Sequence, residues 1–223
     1  MADYKLTQIG QDIDGENLFD YSSNEDTGQV GSLSISADGS IVAIGANGND
    51  GANGENSGHV RIYQNNSGTW QQIGSDIDGE TSRDGSGVVS ISDDGSIVAI
   101  GASSNDGNGE DSGHVRIYQN NSGTWQQIGS DIDGLQIYSD QGGFGVRSGI
   151  SVSLSNNGNV VAIGGQGWDD YNGYTHGEVK TWQNYSGTWN KIHAIGDTID
   201  DLGDDDKTGQ RISLSGDGTT LAV

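Results

Sequence analysis

The 223-residue chain contains no cysteine, so no disulfide can staple it and its composition says nothing about redox compartment. It also lacks any segment rich in Ala, Glu, Leu and Lys, the residues that fill ordinary helices. No apolar run approaches the ~18 residues of a membrane span. The opening MADYKLTQIGQDIDG has neither the positive patch nor the apolar stretch of a signal peptide. Basic residues are scarce, 9 against 32 acidic, and the resulting net charge of −23 repels phosphate backbones, which argues against nucleic acid as a partner. The same field favours cations, although a hydrated soluble surface accounts for it more simply. What is abundant is Gly, at 39 residues, together with Ile, whose 21 copies far outnumber the 8 of Leu. Beta-branched residues suit pleated surfaces and Gly, Asn and Asp suit turns, so the composition points to an all-β fold. An apolar content of 30% would leave disorder open. A regular internal repeat decides against it.

Residues 57–79, SGHVRIYQNNSGTWQQIGSDIDG, recur unchanged at 112–134. A diverged copy, HGEVKTWQNYSGTWNKIHAIGDTID, runs from His176 to Asp200. Trp70, Trp125 and Trp189 mark the same place in each, 55 and then 64 residues apart, the extra length falling in an insertion at Leu135–Arg147. Self-similarity at this period signals a repeat architecture.

Each repeat resolves into four short strands. The first alternates aliphatic and serine residues: 32–36 SLSIS, 89–92 VSIS, 151–155 SVSLS and 212–215 ISLS. A tight Asp-Gly or Asn-Gly turn follows at Asp38-Gly39, Asp94-Gly95, Asn157-Gly158 and Asp217-Gly218. That pair is the strongest short-range hairpin signal, and it predicts positive φ at both central residues. The second strand is almost wholly apolar, IVAIGA at 41–46 and 97–102 and VVAIGG at 160–165, as expected of a strand covered on both faces. A third strand, HVRIYQ or EVKTWQ, follows an Asn/Asp/Gly loop, and a fourth starts at the Trp, runs through WQQIG and leads into Asp-Ile-Asp-Gly. Four antiparallel strands per ~50 residues predict the blades of a β-propeller, with a continuous solenoid as the rival. The repeats lie at about 30–79, 87–134 and 149–200, with partial ones at 4–16 and 210–223, forming a single partial propeller over 1–223. Because GTTLAV aligns with GSIVAI and Val223 falls inside a second strand, the expectation is a piece of a larger ring. Self-association through open blade edges is the alternative.

The segments around Gly45-Ala46 and Gly58-His59-Val60-Arg61-Ile62-Tyr63, copied at Gly101-Ala102 and Gly113–Tyr118, resemble the FG-GAP repeat of integrin α-chain propellers. Phe144-Gly145 supplies an FG dipeptide before the third copy. The Asp-Gly turn followed by an apolar strand and Val-Arg-Ile-Tyr also resembles the WD-repeat pattern, without its proline and its Trp-Asp pair. The whole pattern, including W-x-Q-I-G-x-D-I-D-G-E, is similar to repeats of large surface proteins of marine bacteria and algae. The resemblance implies a secreted or cell-surface propeller for adhesion. FG-GAP blades often hold calcium in a loop between the first and second strands. Here that loop is cut to a bare Asp-Gly turn, so those ligands do not carry over.

Two patterns could nonetheless hold calcium, which takes hard oxygen ligands. The Asp-x-Asp-Gly after the fourth strand offers Asp12/Asp14, Asp76/Asp78 and Asp131/Asp133, with Glu16 and Glu80 following. The loop between second and third strands offers Asp50, Asp106 and Asp169, where ordinary turn formation explains the same letters. His59 and His114 recur, but Glu178 replaces them in the third copy, so a surface position across the strands is expected rather than zinc binding. The repeated Trp residues are expected to be packing anchors, although WQQIG is similar to tectonin-type lectin repeats, in which Trp could stack on sugars. Asn65, Asn120 and Asn184 form Asn-x-Ser sequons on hairpin turns. The least repetitive loop carries Trp168, Asp170, Tyr171 and Tyr174, a candidate carbohydrate or peptide site. No nucleophile–base pair and no phosphate-cradling motif is present, so the sequence predicts a non-enzymatic module. It would bind a protein or carbohydrate ligand outside the cell, with a ligand-free spacer and a lectin-like propeller as alternatives.

Overall fold

The computed structural model describes residues 7–15, 32–135, 145–166, 177–195 and 208–223. All regular structure among them is β. Blade one comprises β1 (Leu33–Ile35), β2 (Ile41–Ala46), β3 (His59–Asn66), β4 (Thr69–Gln72) and β5 (Ile77–Asp78). Blade two repeats it as β6 (Ser86–Ile91), β7 (Ile97–Ala102), β8 (His114–Asn121), β9 (Thr124–Gln127) and β10 (Ile132–Asp133). Blade three has β11 (Ser151–Leu154), β12 (Val160–Gln166), β13 (Gly177–Tyr185) and β14 (Thr188–Ile195), and a last hairpin pairs β15 (Ser213–Leu214) with β16 (Leu221–Ala222). Every blade is an antiparallel meander in sequence order, and β5 and β10 return to the start of the third strand, at His59–Val60 and His114–Val115. The fourth strand is therefore interrupted in the first two blades, and Asp-Ile-Asp continues the sheet instead of forming a loop. Gly74 and Gly129, at φ 74° and 76°, make the break.

The Asp-Gly turn departs from the expected pair of positive φ values. In Ser36–Gly39 only Gly39 has positive φ; its N–H donates to the Ser36 carbonyl at 2.9 Å inside a four-residue loop, 37–40, that the Ser36 N–H closes on the Ile41 carbonyl at 2.9 Å. The Asp38 carboxylate supplies the rest, accepting from the Ser36 hydroxyl at 2.8 Å and the Ser40 N–H at 2.9 Å. Positive φ at both central residues occurs instead in the Asn-x-Ser-Gly-Thr hairpin, at Ser67/Gly68, Ser122/Gly123 and Ser186/Gly187. There the Asn65, Asn120 and Asn184 side chains accept the Gly N–H at 2.7–2.8 Å. That hydrogen bond lets a serine sit where glycine is usual.

Blades stack face to face, and this is what makes the molecule a β-propeller. Val89 and Ile91 of the second blade's first strand are buried against Ala43, Val60 and Ile62 of the first. Leu154 packs in the same way on Ala99, Val115 and Ile117. Strand β7, between two such layers, is buried along nearly its whole length, as its apolar sequence requires. Without a described blade on its own outer face, β1 leaves Leu33 69% and Ile35 58% exposed. The first strands lie side by side along a common line. There the serines serve: Ser34, Ser90 and Ser153 hydroxyls each accept the N–H of the next blade's first strand, from Ile91, Leu154 and Leu214, at 3.0 Å. The hairpin turns are also joined, Ala37 N–H to Asp93 O, Asp93 N–H to Asn156 O and Asn156 N–H to Gly216 O, at 2.8–2.9 Å. The glycine of each Gly-Ala or Gly-Gly pair lets adjacent blades touch backbone to backbone. A Cβ on Gly101 would lie 2.2 Å from the Gly149 carbonyl oxygen, with matching contacts at Gly45/Gly87 and Gly164/Gly209.

Candidate functional site

The boundary between blades one and two gathers the most chemistry. Its framework is Asp84, a buried carboxylate that accepts from the Glu80 and Thr81 N–H groups at 3.0 and 2.8 Å and from the Asn105 side chain at 3.2 Å. This fixes the turn after β5 and ties it to the loop of the following blade. Glu80, carried on that turn, meets two groups from blade two: His114 at the start of β8 and Asp131 just before β10. His114 is only 1% exposed, which corrects the expected surface position. Its Nδ1 lies 3.9 Å from Glu80 Oε2 and 3.8 Å from Asp131 Oδ2, and its Nε2 is buried without a hydrogen bond. Burial is the main cause that lowers the His114 pKa and the Arg116 charge adds to it, outweighing the nearby carboxylates.

Each carboxylate of this trio is gripped by one oxygen and offers the other. Arg116 Nη1 donates to Glu80 Oε1 at 3.3 Å, and Gln127 Nε2 to Asp131 Oδ1 at 2.5 Å. Arg116 also donates to the Asp78 carbonyl at 2.8 Å and lies 5.7 Å from the centre of the Tyr118 ring. In blade one the same 23-residue sequence is arranged otherwise: Arg61 donates through Nε and Nη2 to Asp76 Oδ2 at 3.0 Å, and His59 Nδ1 stands 4.0 Å from that oxygen. A small cavity of about 70 Å³ beside it is lined by Asp14, His59, Arg61 and Tyr63 among others. In blade three Glu178 and Lys180, both buried, pair with each other at the corresponding positions.

Outside this trio, next to Tyr118, a cleft of about 310 Å³ opens to the surface between the two blades. Tyr118 and Trp125 form its apolar part; Asp76, Asp78, Ser75 and Thr124 its polar part. The Trp125 indole N–H donates to the Ile73 carbonyl at 2.9 Å, as Trp70 does to Ile9 and Trp189 to Ile128 at 3.0 Å. The repeated Trp is thus a tie from each blade to the Gln-Ile-Gly segment that ends the fourth-strand region of the repeat before, as the packing reading expected.

The remaining expected ligands are dispersed. Asp12 accepts from Gln8 at 2.9 Å, Asp50 from the Asn56 N–H and Asp106 from the Asp111 N–H at 2.8 Å, the last two closing their own loops. Asp133 sits beside Asp131, and burial, then that neighbour's charge, raises its pKa. Trp168, Asp169, Asp170, Tyr171 and Tyr174 lie outside the described residues. Glu80–His114–Asp131 is the one group of three metal-capable side chains among the described residues. Sequence reasoning counted Asp131 but set His114 aside because the third copy lacks it. The available signal was that Glu80, His114 and Arg116 become Leu135, Glu178 and Lys180 together, as contacting residues would.

No protein-family model and no curated protein matches the sequence. Solved structures of similar shape include hydrazine synthase of Kuenenia stuttgartiensis, at 14% identity and TM-score 0.48, covering 85% of this chain and 42% of that one. Others are a Bacteroides fragilis protein named after 6-phosphogluconolactonase, at 16%, TM-score 0.44, 74% and 38% covered, and the periplasmic gluconolactonase of Pseudomonas aeruginosa, at 14%, TM-score 0.40, 86% and 63% covered. The chain thus spans less than two thirds of the length of these matches. The expectation of a non-enzymatic module is corrected here: chains of similar shape include named enzymes, so the architecture gives no ground for excluding catalysis. At such identities the likeness carries no activity to this chain.

Proposed function

We propose that this chain is a propeller module that binds carbohydrate in the cleft between adjacent blades, outside the cell or at its surface. The observation that carries this reading is the 310 Å³ cleft between blades one and two, with Tyr118 and Trp125 facing Asp76 and Asp78. Sugars combine apolar ring faces with a rim of hydroxyls, and an aromatic wall beside carboxylates matches both. The indole bond to Ile73 holds Trp125 in place before any ligand arrives, so little ordering cost remains to be met on binding. The FG-GAP-like repeat pattern supports the surface location and a role in adhesion.

A glycan array probed with the whole chain tests it, with Thr124→Trp as the control. Thr124 is exposed at the cleft, so a large side chain there fills the space without entering the core. Glycans retained by the natural protein and lost by the variant are expected. An array that retains nothing, or retention that the variant leaves unaltered, overturns the reading and leaves a ligand-free spacer.

A further inference from the structure

We propose that Glu80, His114 and Asp131 form a binding site for one divalent cation of the zinc class, joining the end of blade one to blade two. The donor atoms are already converged. His114 Nδ1, Glu80 Oε2 and Asp131 Oδ2 lie within 4.8 Å of one another, with the imidazole nitrogen 3.8–3.9 Å from each oxygen. Those separations are too long for hydrogen bonds, whose heavy atoms lie at about 2.7–3.2 Å. Two donors bound at about 2.1 Å to a tetrahedral ion stand ~3.4 Å apart, so each nitrogen–oxygen separation needs to shorten by about half an ångström, with the two carboxylate oxygens drawing together as well.

Three further observations point the same way. The His114 side chain is buried, its Nε2 has no hydrogen-bond partner, and its Nδ1 stands 3.8–3.9 Å from an oxygen of each carboxylate. The second oxygen of each carboxylate is held from behind, Glu80 by Arg116 and Asp131 by Gln127, the kind of outer support that fixes metal ligands in direction. Finally, the corresponding positions of the other blades carry their own cations. Arg61 covers Asp76 Oδ2 in blade one, and Lys180 meets Glu178 in blade three. In blade two Arg116 reaches the Glu80 of the neighbouring turn through Oε1, and the inward oxygens Glu80 Oε2 and Asp131 Oδ2 are left facing His114. One nitrogen and two carboxylate oxygens suit zinc or cobalt, with a water completing four-coordination, better than calcium, which takes six to eight oxygens.

Titration of the whole chain with zinc by calorimetry, and with cobalt by visible absorption, tests the site. One equivalent should bind, with a shift of one histidine's imidazole ¹⁵N resonances. Glu80→Gln and Asp131→Asn should each weaken binding at least about tenfold, the lower bound for loss of even outer support. Glu55→Gln, at an exposed acid paired to Arg83, should leave binding unchanged. Circular dichroism confirms that each variant keeps its β structure. No uptake at millimolar metal, uptake indifferent to both substitutions, or equal affinity for calcium without a histidine shift each overturns the proposal. Metal binding and glycan retention are read separately, so either reading can fail while the other stands.

Discussion

Replacing Gly101 by alanine would test whether the blades are held apart by backbone contact. The φ of Gly101 is not positive, so alanine is conformationally acceptable there and would by itself stabilise by about 0.4–1 kcal/mol through the unfolded chain. The added Cβ, however, meets three backbone atoms of Gly149 at 2.2, 2.9 and 3.0 Å, where ordinary contact is 3.4–4 Å. Neither partner is a flexible side chain, so blades two and three must separate by about 1 Å, loosening the layer containing Val115, Leu154 and Ile163. Overpacking of a tight interior costs about 1–3 kcal/mol, and more where backbone must move, so a net loss near 3 kcal/mol is expected. Gly123→Ala is the contrast: nothing lies within 4 Å of its Cβ, and only the strain of φ 89° remains, about 1–2 kcal/mol. Urea unfolding followed by tryptophan fluorescence compares the two. If Gly101→Ala costs no more than Gly123→Ala, the close approach does not set the blade spacing.

Ser90→Ala removes the acceptor of the Leu154 N–H and should cost about 1–3 kcal/mol in urea, with faster hydrogen exchange at Leu154. Ile117→Ala, at a fully buried position of the second layer, should cost about 2–5 kcal/mol by the same measurement. For Asp94, burial works to raise the pKa, but the Ser96 N–H and the Ser96 and Ser92 hydroxyls outweigh it and hold the carboxyl below its ordinary value. Its folded value therefore lies below the unfolded one, so its contribution is whole above an unfolded pKa of about 3.9 and drains away as pH falls further. Asp94→Asn, which copies Asn157 of the next turn, should lose less stability than the natural protein between pH 7 and pH 3. An equal loss would show that the turn carboxylate is not a source of acid sensitivity.

The blades were legible in the sequence because each strand carries its own local pattern. Alternation at 32–36, the apolar run at 41–46 and the turn between them place β1 and β2 without any long-range information. The turn geometries were harder. Asp-Gly reads as two positive φ values, yet the Ser36 and Ser40 hydrogen bonds to Asp38 favour a longer loop in which Gly39 alone takes that conformation. The site was hidden for another reason. Glu80 belongs to one repeat, His114 and Asp131 to the next, and alignment of repeats compares like positions while contact joins unlike ones. Identity of sequence did not even give identity of contacts, since Arg61 and Arg116 choose different carboxylates. Arg116 has Glu80 within reach, supplied by a turn that Asp84 anchors.

The hydrogen bonds from turn to turn, Ala37 to Asp93 to Asn156 to Gly216, use main-chain atoms alone. Coupling of that kind is indifferent to which side chains the turns bear, and it travels with the hairpin whenever its coding segment is copied. Gene duplication can therefore lengthen such an array without designing a new junction, which accounts for a blade boundary that accommodates both a verbatim repeat and a diverged one.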